Sequence, residues 1–213
     1  MTEAQQQPLI EALRDVGKQL KRHKVDFALI GGMAISIRVE PRFTKDVDLA
    51  VLVPNDKAAE RIVGDLKAAG YREDSLLEQD ATNRLATARL LAPGSNPRKV
   101  DLLFASSGIE PEIVQKADVI EVAPGLRVPV VCRGHLIALK TLSNRPGRPQ
   151  DALDLTNLLM IAGPGDLVTA RAACRLITGR GYSRDRNLLG LLDAALEKAH
   201  MAKADRALDD MTR

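Results

Sequence analysis

The sequence predicts an α/β (α+β) head over residues 1–132 followed by a helical region over 133–213. Three observations carry that reading. Short apolar runs of strand length alternate with helix-spaced patterns as far as Val131. From Arg133 onward apolar residues recur only at helical spacing, and no further strand pattern is found. At 213 residues, with 45% hydrophobic and 28% charged side chains, the chain is long enough to bury one core and carry a helical appendage. Strands with helices, then helices alone, is the order that sets this fold class.

The elements follow in order. Pro8 stands at a plausible first helical position, and Leu9, Ile10, Leu13, Val16 and Leu20 predict an amphipathic helix over 8–24, with His23 placed to meet the negative end of its dipole. Residues 25–30 read as a buried strand running into Gly31-Gly32, where missing side chains permit a tight turn or the close approach of another group. A short helix over 34–39 comes next. Residues 46–53 form a strand headed by Asp46 and Asp48 and ended by Pro54. Asn55 or Asp56 caps a helix through Ala69, stopped by Gly70. Residues 84–92 and 99–104 make a hairpin about the Pro93–Pro97 turn, 110–117 a short helix, and 119–122 and 126–131 short strands around Pro124-Gly125. Helical spacing over 136–140, 153–159, 167–177 and 185–211 completes the chain.

Composition removes several classes. Disordered and collagen-like chains are excluded by the apolar content. The longest apolar candidate, 27–37, is broken by Gly31, Gly32 and Ser36, well short of the roughly 20 residues a membrane helix needs. The first residues lack a basic and apolar leader pattern, so a cytoplasmic location with no membrane partner is the expectation. Cys132 and Cys174 stand apart from any metal or disulfide spacing and read as small buried hydrophobes. With 2% aromatics and no tryptophan, base-stacking platforms are excluded, so any nucleic-acid contact runs through charge and backbone.

The pattern that bears chemistry is Gly31-Gly32 followed, fourteen residues after Gly32, by Asp46-Val47-Asp48. Residues i and i+2 of a strand share a face, so the two carboxylates lie about 6–7 Å apart along the backbone. That suits a divalent cation such as magnesium, which takes one or two carboxylates and fills its shell with water and substrate phosphates. Asp101 lies in a second apolar strand, where an unpaired carboxylate is costly and a metal or another cation accounts for it. Residues 122–150 contain no Asp or Glu and carry Arg127, Arg133, Lys140, Arg145 and Arg148, a stretch able to hold phosphates.

The ordered set Gly31-Gly32, Asp46-Val47-Asp48-Leu49, Asp101, Lys140 and Asp151/Asp154 resembles the DNA polymerase β-type nucleotidyltransferase superfamily, most closely its AbiEii/MenT toxin branch, over about residues 25–160. The resemblance implies a nucleotidyltransferase-fold mixed sheet as catalytic head, with the helical region completing the active site. It implies Asp46, Asp48 and Asp101 as metal ligands and catalytic acids, with magnesium or manganese as the ion. Gly31, Gly32, Ser36, Arg145 and Arg148 would hold the NTP. Lys140 would contact phosphate, and Asp151 or Asp154, which share a helix face, would be the C-terminal acid. One departure is Gly-Gly where the superfamily more often has Gly-Ser.

The expected function is transfer of a nucleotide from an NTP to an RNA acceptor, first the tRNA 3′ end, by the toxin of a toxin–antitoxin system held in check by a cognate antitoxin. The alternatives are transfer to a small molecule or a protein hydroxyl, and a non-catalytic nucleotide-binding module.

Overall fold

The computed structural model describes residues 3–79 and 84–211. The chain divides into two compact units, residues 1–132 and 133–213. The first contains α1 (Glu3–Arg22), β1 (Phe27–Leu29), α2 (Gly31–Arg38), β2 (Asp46–Val51), α3 (Asp56–Ala68), β3 (Arg72–Gln79), β4 (Arg84–Leu91), β5 (Lys99–Leu103), α4 (Glu110–Gln115), β6 (Asp118–Ala123) and β7 (Leu126–Val130). The second contains α5 (Arg133–Ser143), α6 (Pro149–Met160), α7 (Pro164–Gly179) and α8 (Leu188–Met211).

The strands form one mixed sheet in the order β3-β4-β5-β2-β1-β7-β6. β2 runs parallel to β5 and β1 parallel to β7, while the remaining neighbours are antiparallel. β2 is central because every other residue of it is fully apolar: Val47, Leu49 and Val51 are completely buried, and α1, α2 and α4 all pack on this strand. Asp46 and Asp48 alternate with them and are half-buried. The hairpin predicted over 84–104 is β4–β5.

Sequence expectations change at several points in this unit, where α2 also begins at Gly31 rather than at residue 34. The first helix starts at Glu3 and takes Pro8 inside it; so close to an open end, the missing N–H forfeits a single ladder bond. His23 lies beyond that helix and meets Asp65 at 3.0 Å through Nδ1, a partner on α3 rather than its own helix dipole. The unpredicted strand, β3, pairs with β4 along its length and fills one end of the sheet. Elsewhere Asn55 is confirmed as the α3 cap, accepting from the Ala58 N–H at 3.0 Å, and Gly70 ends that helix in the left-handed region at φ 95°.

In the second unit the four helices pack on one another, α5 against α6, α7 and α8. Cys174 is buried on α7, and its burial raises the thiol pKa to about 11; Cys132, the last residue of the first unit, is only half-buried, which corrects the expectation that both are core residues. Among the described residues no helix is long and apolar enough to cross a membrane.

Candidate active site

The first unit gathers its acids by register. β2 and β5 pair so that Asp48 stands directly beside Asp101 and Asp46 beside Lys99, which puts all three carboxylates on one face across neighbouring strands. Asp101 is buried, and the cation that accounts for it is Arg89, opposite it on β4. The guanidinium makes a forked pair, Nε to Oδ1 at 2.9 Å and Nη2 to Oδ2 at 2.6 Å, which locks both carboxylate oxygens in orientation. Nothing in the spacing of Arg89 announced this role; only the β4–β5 register reveals it.

Asp46 remains the electrostatically loaded member. Burial first, and then the charge of Asp101, raise its carboxyl above the ordinary aspartate value, against the opposing pull of Lys99, Arg89 and Lys45. A carboxylate pushed in that direction by its own fold gains by meeting a cation.

The glycine pair explains how a helix begins against this face. Gly31 has φ 61°, and a Cβ added there would stand 2.5 Å from Cγ of Asp48. Gly32 is equally confined, with Oγ1 of Thr44 2.5 Å from where its Cβ would be. The close approach that the glycines permit is therefore to the Asp48 and Thr44 side chains. β1 and β2 hold that arrangement together, since the Ile30 N–H donates to the Asp48 carbonyl at 2.9 Å. At its other end α2 is fixed by Arg38, which donates to the carbonyls of Val130 and Val131 and pairs with Asp118 at 2.6 Å. Replacing Gly31 with alanine combines left-handed strain with a clash against Asp48. The expected loss is about 2 kcal/mol in urea unfolding, together with displacement of Asp48 and loss of transfer activity.

α2 starts without a side-chain cap. Ile30 precedes it, no acid lies in its first turn, and its leading N–H groups carry the positive end of the helix dipole. Ser36 sits one turn further along and faces the following loop instead: its hydroxyl lies 3.2 Å from the carbonyls of Gly32 and Arg42, which share its one proton, and accepts from the Arg42 N–H at 3.3 Å. It shapes the segment leading to β2.

The donor set answers the question of metal fit. Among the described residues no group of three or more His, Cys, Asp or Glu is placed to hold a metal ion. With Asp101 engaged by Arg89, the carboxylates that suit an ion are Asp46 and Asp48, hard oxygen donors on one face. Two carboxylates are what magnesium takes when substrate phosphates complete its shell, so these residues fit a metal that arrives with a nucleotide.

The second unit builds its own charge cluster. Lys140 on α5 is buried and contacts both Asp151 and Asp154 of α6, each at 2.7 Å. The choice between those two acids dissolves: an i,i+3 pair on one helix face receives one ammonium. Arg148 Nε adds 2.6 Å to Asp151, and Gln150 donates to Asp154 at 2.9 Å. Two cations thus balance two buried anions. The acid-free stretch is not a uniform basic face, because Lys140 is matched by these acids and Arg133 by Asp166 at 2.8 Å. Arg145 and Arg148 are exposed on the loop between α5 and α6, and Arg127 is exposed on β7 opposite Glu121.

Comparison with known proteins agrees with the topology. The family described as nucleotidyl transferase AbiEii toxin, type IV toxin–antitoxin system, matches residues 16–213. No curated protein matches the chain significantly in sequence. Among solved structures, an antigenic nucleotidyltransferase-like protein from Paracoccidioides brasiliensis is similar at a TM-score of 0.51 and 17% identity, over 88% of this chain and 93% of that one. The antibiotic-resistance factor ANT(2″)-Ia is similar at a TM-score of 0.44 and 15% identity, over 96% and 98% of the two chains. The lincosamide antibiotic adenylyltransferase LnuA, bound to lincomycin, is similar at a TM-score of 0.45 and 13% identity, over 76% and 99%. The first of these shares the fold, and the family match spans nearly the whole chain: this protein belongs to the AbiEii nucleotidyltransferase toxins of type IV toxin–antitoxin systems.

Proposed function

We propose that the chain transfers a nucleotide from a magnesium-bound NTP to the terminal hydroxyl of an RNA, first of all the tRNA 3′ end, and that a cognate antitoxin restrains this activity. The observation that supports the reading best is the β2–β5 register, which sets Asp46, Asp48 and Asp101 on one face beside the uncapped start of α2. Family membership supplies nucleotidyl transfer and the toxin role.

The roles follow from the chemistry of each group. Asp46 and Asp48 hold the ion that accompanies the triphosphate, which when bound neutralises phosphate charge and polarises the α-phosphate. The leading N–H groups of α2 and the dipole behind them favour phosphate oxygens at Gly31 and Gly32. The acceptor oxygen attacks the α-phosphorus, forming a P–O bond as the bond to the β-phosphate bridging oxygen breaks and pyrophosphate leaves with that electron pair. The hydroxyl proton passes to a carboxylate oxygen of Asp101, which Arg89 holds in place while lone pairs remain to accept it. In the helical unit Lys140 directs two of its three donors at Asp151 and Asp154 and holds those two acids together on one face of α6.

The test incubates the protein with each labelled NTP, magnesium and total tRNA. Labelled RNA from the wild type, lost by at least about 100-fold in Asp48→Asn, is the expected result. Label on a protein or small acceptor with none on RNA overturns the acceptor assignment, and no transfer to anything overturns the catalytic one.

A further inference from the structure

A second positively charged feature lies in the helical unit, in part beyond the acid-free stretch that stands out in the sequence. The turn before α8 carries Ser183-Arg184-Asp185-Arg186-Asn187. Arg186 extends its fork to the end of α5, with Nη1 on the Leu142 carbonyl at 2.8 Å and Nη2 on the Asn144 carbonyl at 2.6 Å. Those carbonyls lie where a helix leaves acceptors unmet, so the fork both caps α5 and clamps the 183–187 turn to the loop that carries Arg145 and Arg148.

The clamp concentrates like charge. Arg184 and Asp185 are both held in the left-handed region, at φ 56° each, a conformation that non-glycine residues rarely adopt. Partial burial of the Arg184 guanidinium, and then the nearby charges of Arg145, Arg148 and Arg186, hold it below the ordinary guanidinium range. Asp185 does not relieve this crowding, since among the described residues it forms no ion pair, and neither Arg145 nor Arg184 meets a carboxylate. Arg148 and Arg186 already have partners, on Asp151 and on backbone carbonyls. Arg145, Arg148 and Arg184 are exposed. A strained, clamped pair of turns that brings uncompensated guanidiniums together suits an anion with several spaced charges. The guanidinium fork matches phosphate geometry, and exposed cations suit a backbone that stays partly hydrated.

We infer that the 144–148 loop and the 183–187 turn together form a docking surface for the phosphodiester backbone of RNA, with Arg145 and Arg184 as its phosphate contacts. The identity of the anion as acceptor RNA rests on the transfer reading above. Phosphate contacts of this kind set the register of the acceptor and carry no base information, so the surface contributes affinity and orientation across tRNA species alike.

Filter binding of total tRNA to the full chain, measured over a salt series, tests this. Arg145→Gln/Arg184→Gln is expected to lose about 10-fold in affinity near 0.1 M salt, and the slope of log K against log salt is expected to fall by about 1.5, near 0.7–0.9 per phosphate contact removed. For the single variant Arg184→Gln, ATP binding and the melting temperature are expected to stay at wild-type values or, for melting, to rise as repulsion is relieved. Unchanged tRNA affinity and slope overturn the surface. So does a loss of ATP binding with tRNA binding intact, which assigns the arginines to the triphosphate. The two readings separate cleanly: arginine-dependent tRNA binding without RNA labelling leaves this surface standing and removes RNA as acceptor, whereas RNA labelling with equal tRNA binding by the variant removes only the surface.

Discussion

Lys140→Met is expected to destabilise the protein by about 3–5 kcal/mol, the largest stability effect of any single substitution at the candidate site residues. The methionine fills nearly the same space, so the loss is electrostatic. Asp151 and Asp154 are buried and each sits 2.7 Å from the ammonium. Without it Arg148 still reaches Asp151 and the Gln150 amide still donates to Asp154, but both buried carboxylates lose the ammonium they share. A buried carboxylate stripped of its counter-ion is costlier than a buried pair is favourable, and that asymmetry sets the magnitude. For a unit of about 80 residues the shift corresponds to a fall in melting temperature of about 15 °C or more. A further result identifies the cause: adding Asp151→Asn with Asp154→Asn restores most of the loss. A Lys140→Met protein that melts within 2 °C of wild type sinks the argument.

Asp46→Asn is expected to do the reverse to stability while removing activity. Burial and the neighbouring Asp101 raise the Asp46 carboxyl above its unfolded value, so the folded protein binds more protons than the unfolded chain just above pH 3.8. Stability contributed by this group is therefore lost as pH rises through that window, and the ionised side chain at neutral pH is an unfavourable presence in the metal-free fold. The amide removes that charge, so the variant melts higher than wild type at pH 7 without metal and shows a flatter dependence on pH above about 3.8. Magnesium with NTP raises the wild-type melting temperature by mass action and leaves the variant nearly unmoved. Transfer falls by at least about 100-fold, since even outer partners of metal ligands are worth about 10–100-fold. A less stable Asp46→Asn protein, or one with undiminished transfer, contradicts this account.

What could be read in advance depended on whether the deciding contact was local. Asp46 and Asp48 were legible because period-two alternation with Val47 and Leu49 places two carboxylates on one face from sequence alone. Their alignment with Asp101 and its capture by Arg89 were not, because both depend on strand registers set by pairings of residues far apart in the chain. β3 escaped notice since Arg72, Glu73, Asp74 and Glu78 dilute it, and Leu76-Leu77, side by side and both exposed, break the alternation. Its strand character comes from β4. The acid-free stretch misled in a different way: counting charges along the chain cannot show that Lys140 is answered from 11 and 14 residues downstream, or that Arg184 and Arg186 join Arg145 and Arg148 from beyond the window.

The two outermost strands of the sheet share a property that reaches past catalysis. β6, at one edge, exposes Asp118, Val119 and Glu121, and β3, at the other, exposes Arg72, Glu73, Asp74 and Glu78. An edge offers unpaired N–H and C=O groups to any extended chain that drifts by, and natural sheets blunt that invitation with charge. Here a strand from a second molecule laid along either border must desolvate several ionised side chains to gain its ladder. This charged fringe guards against edge-to-edge aggregation when the protein accumulates.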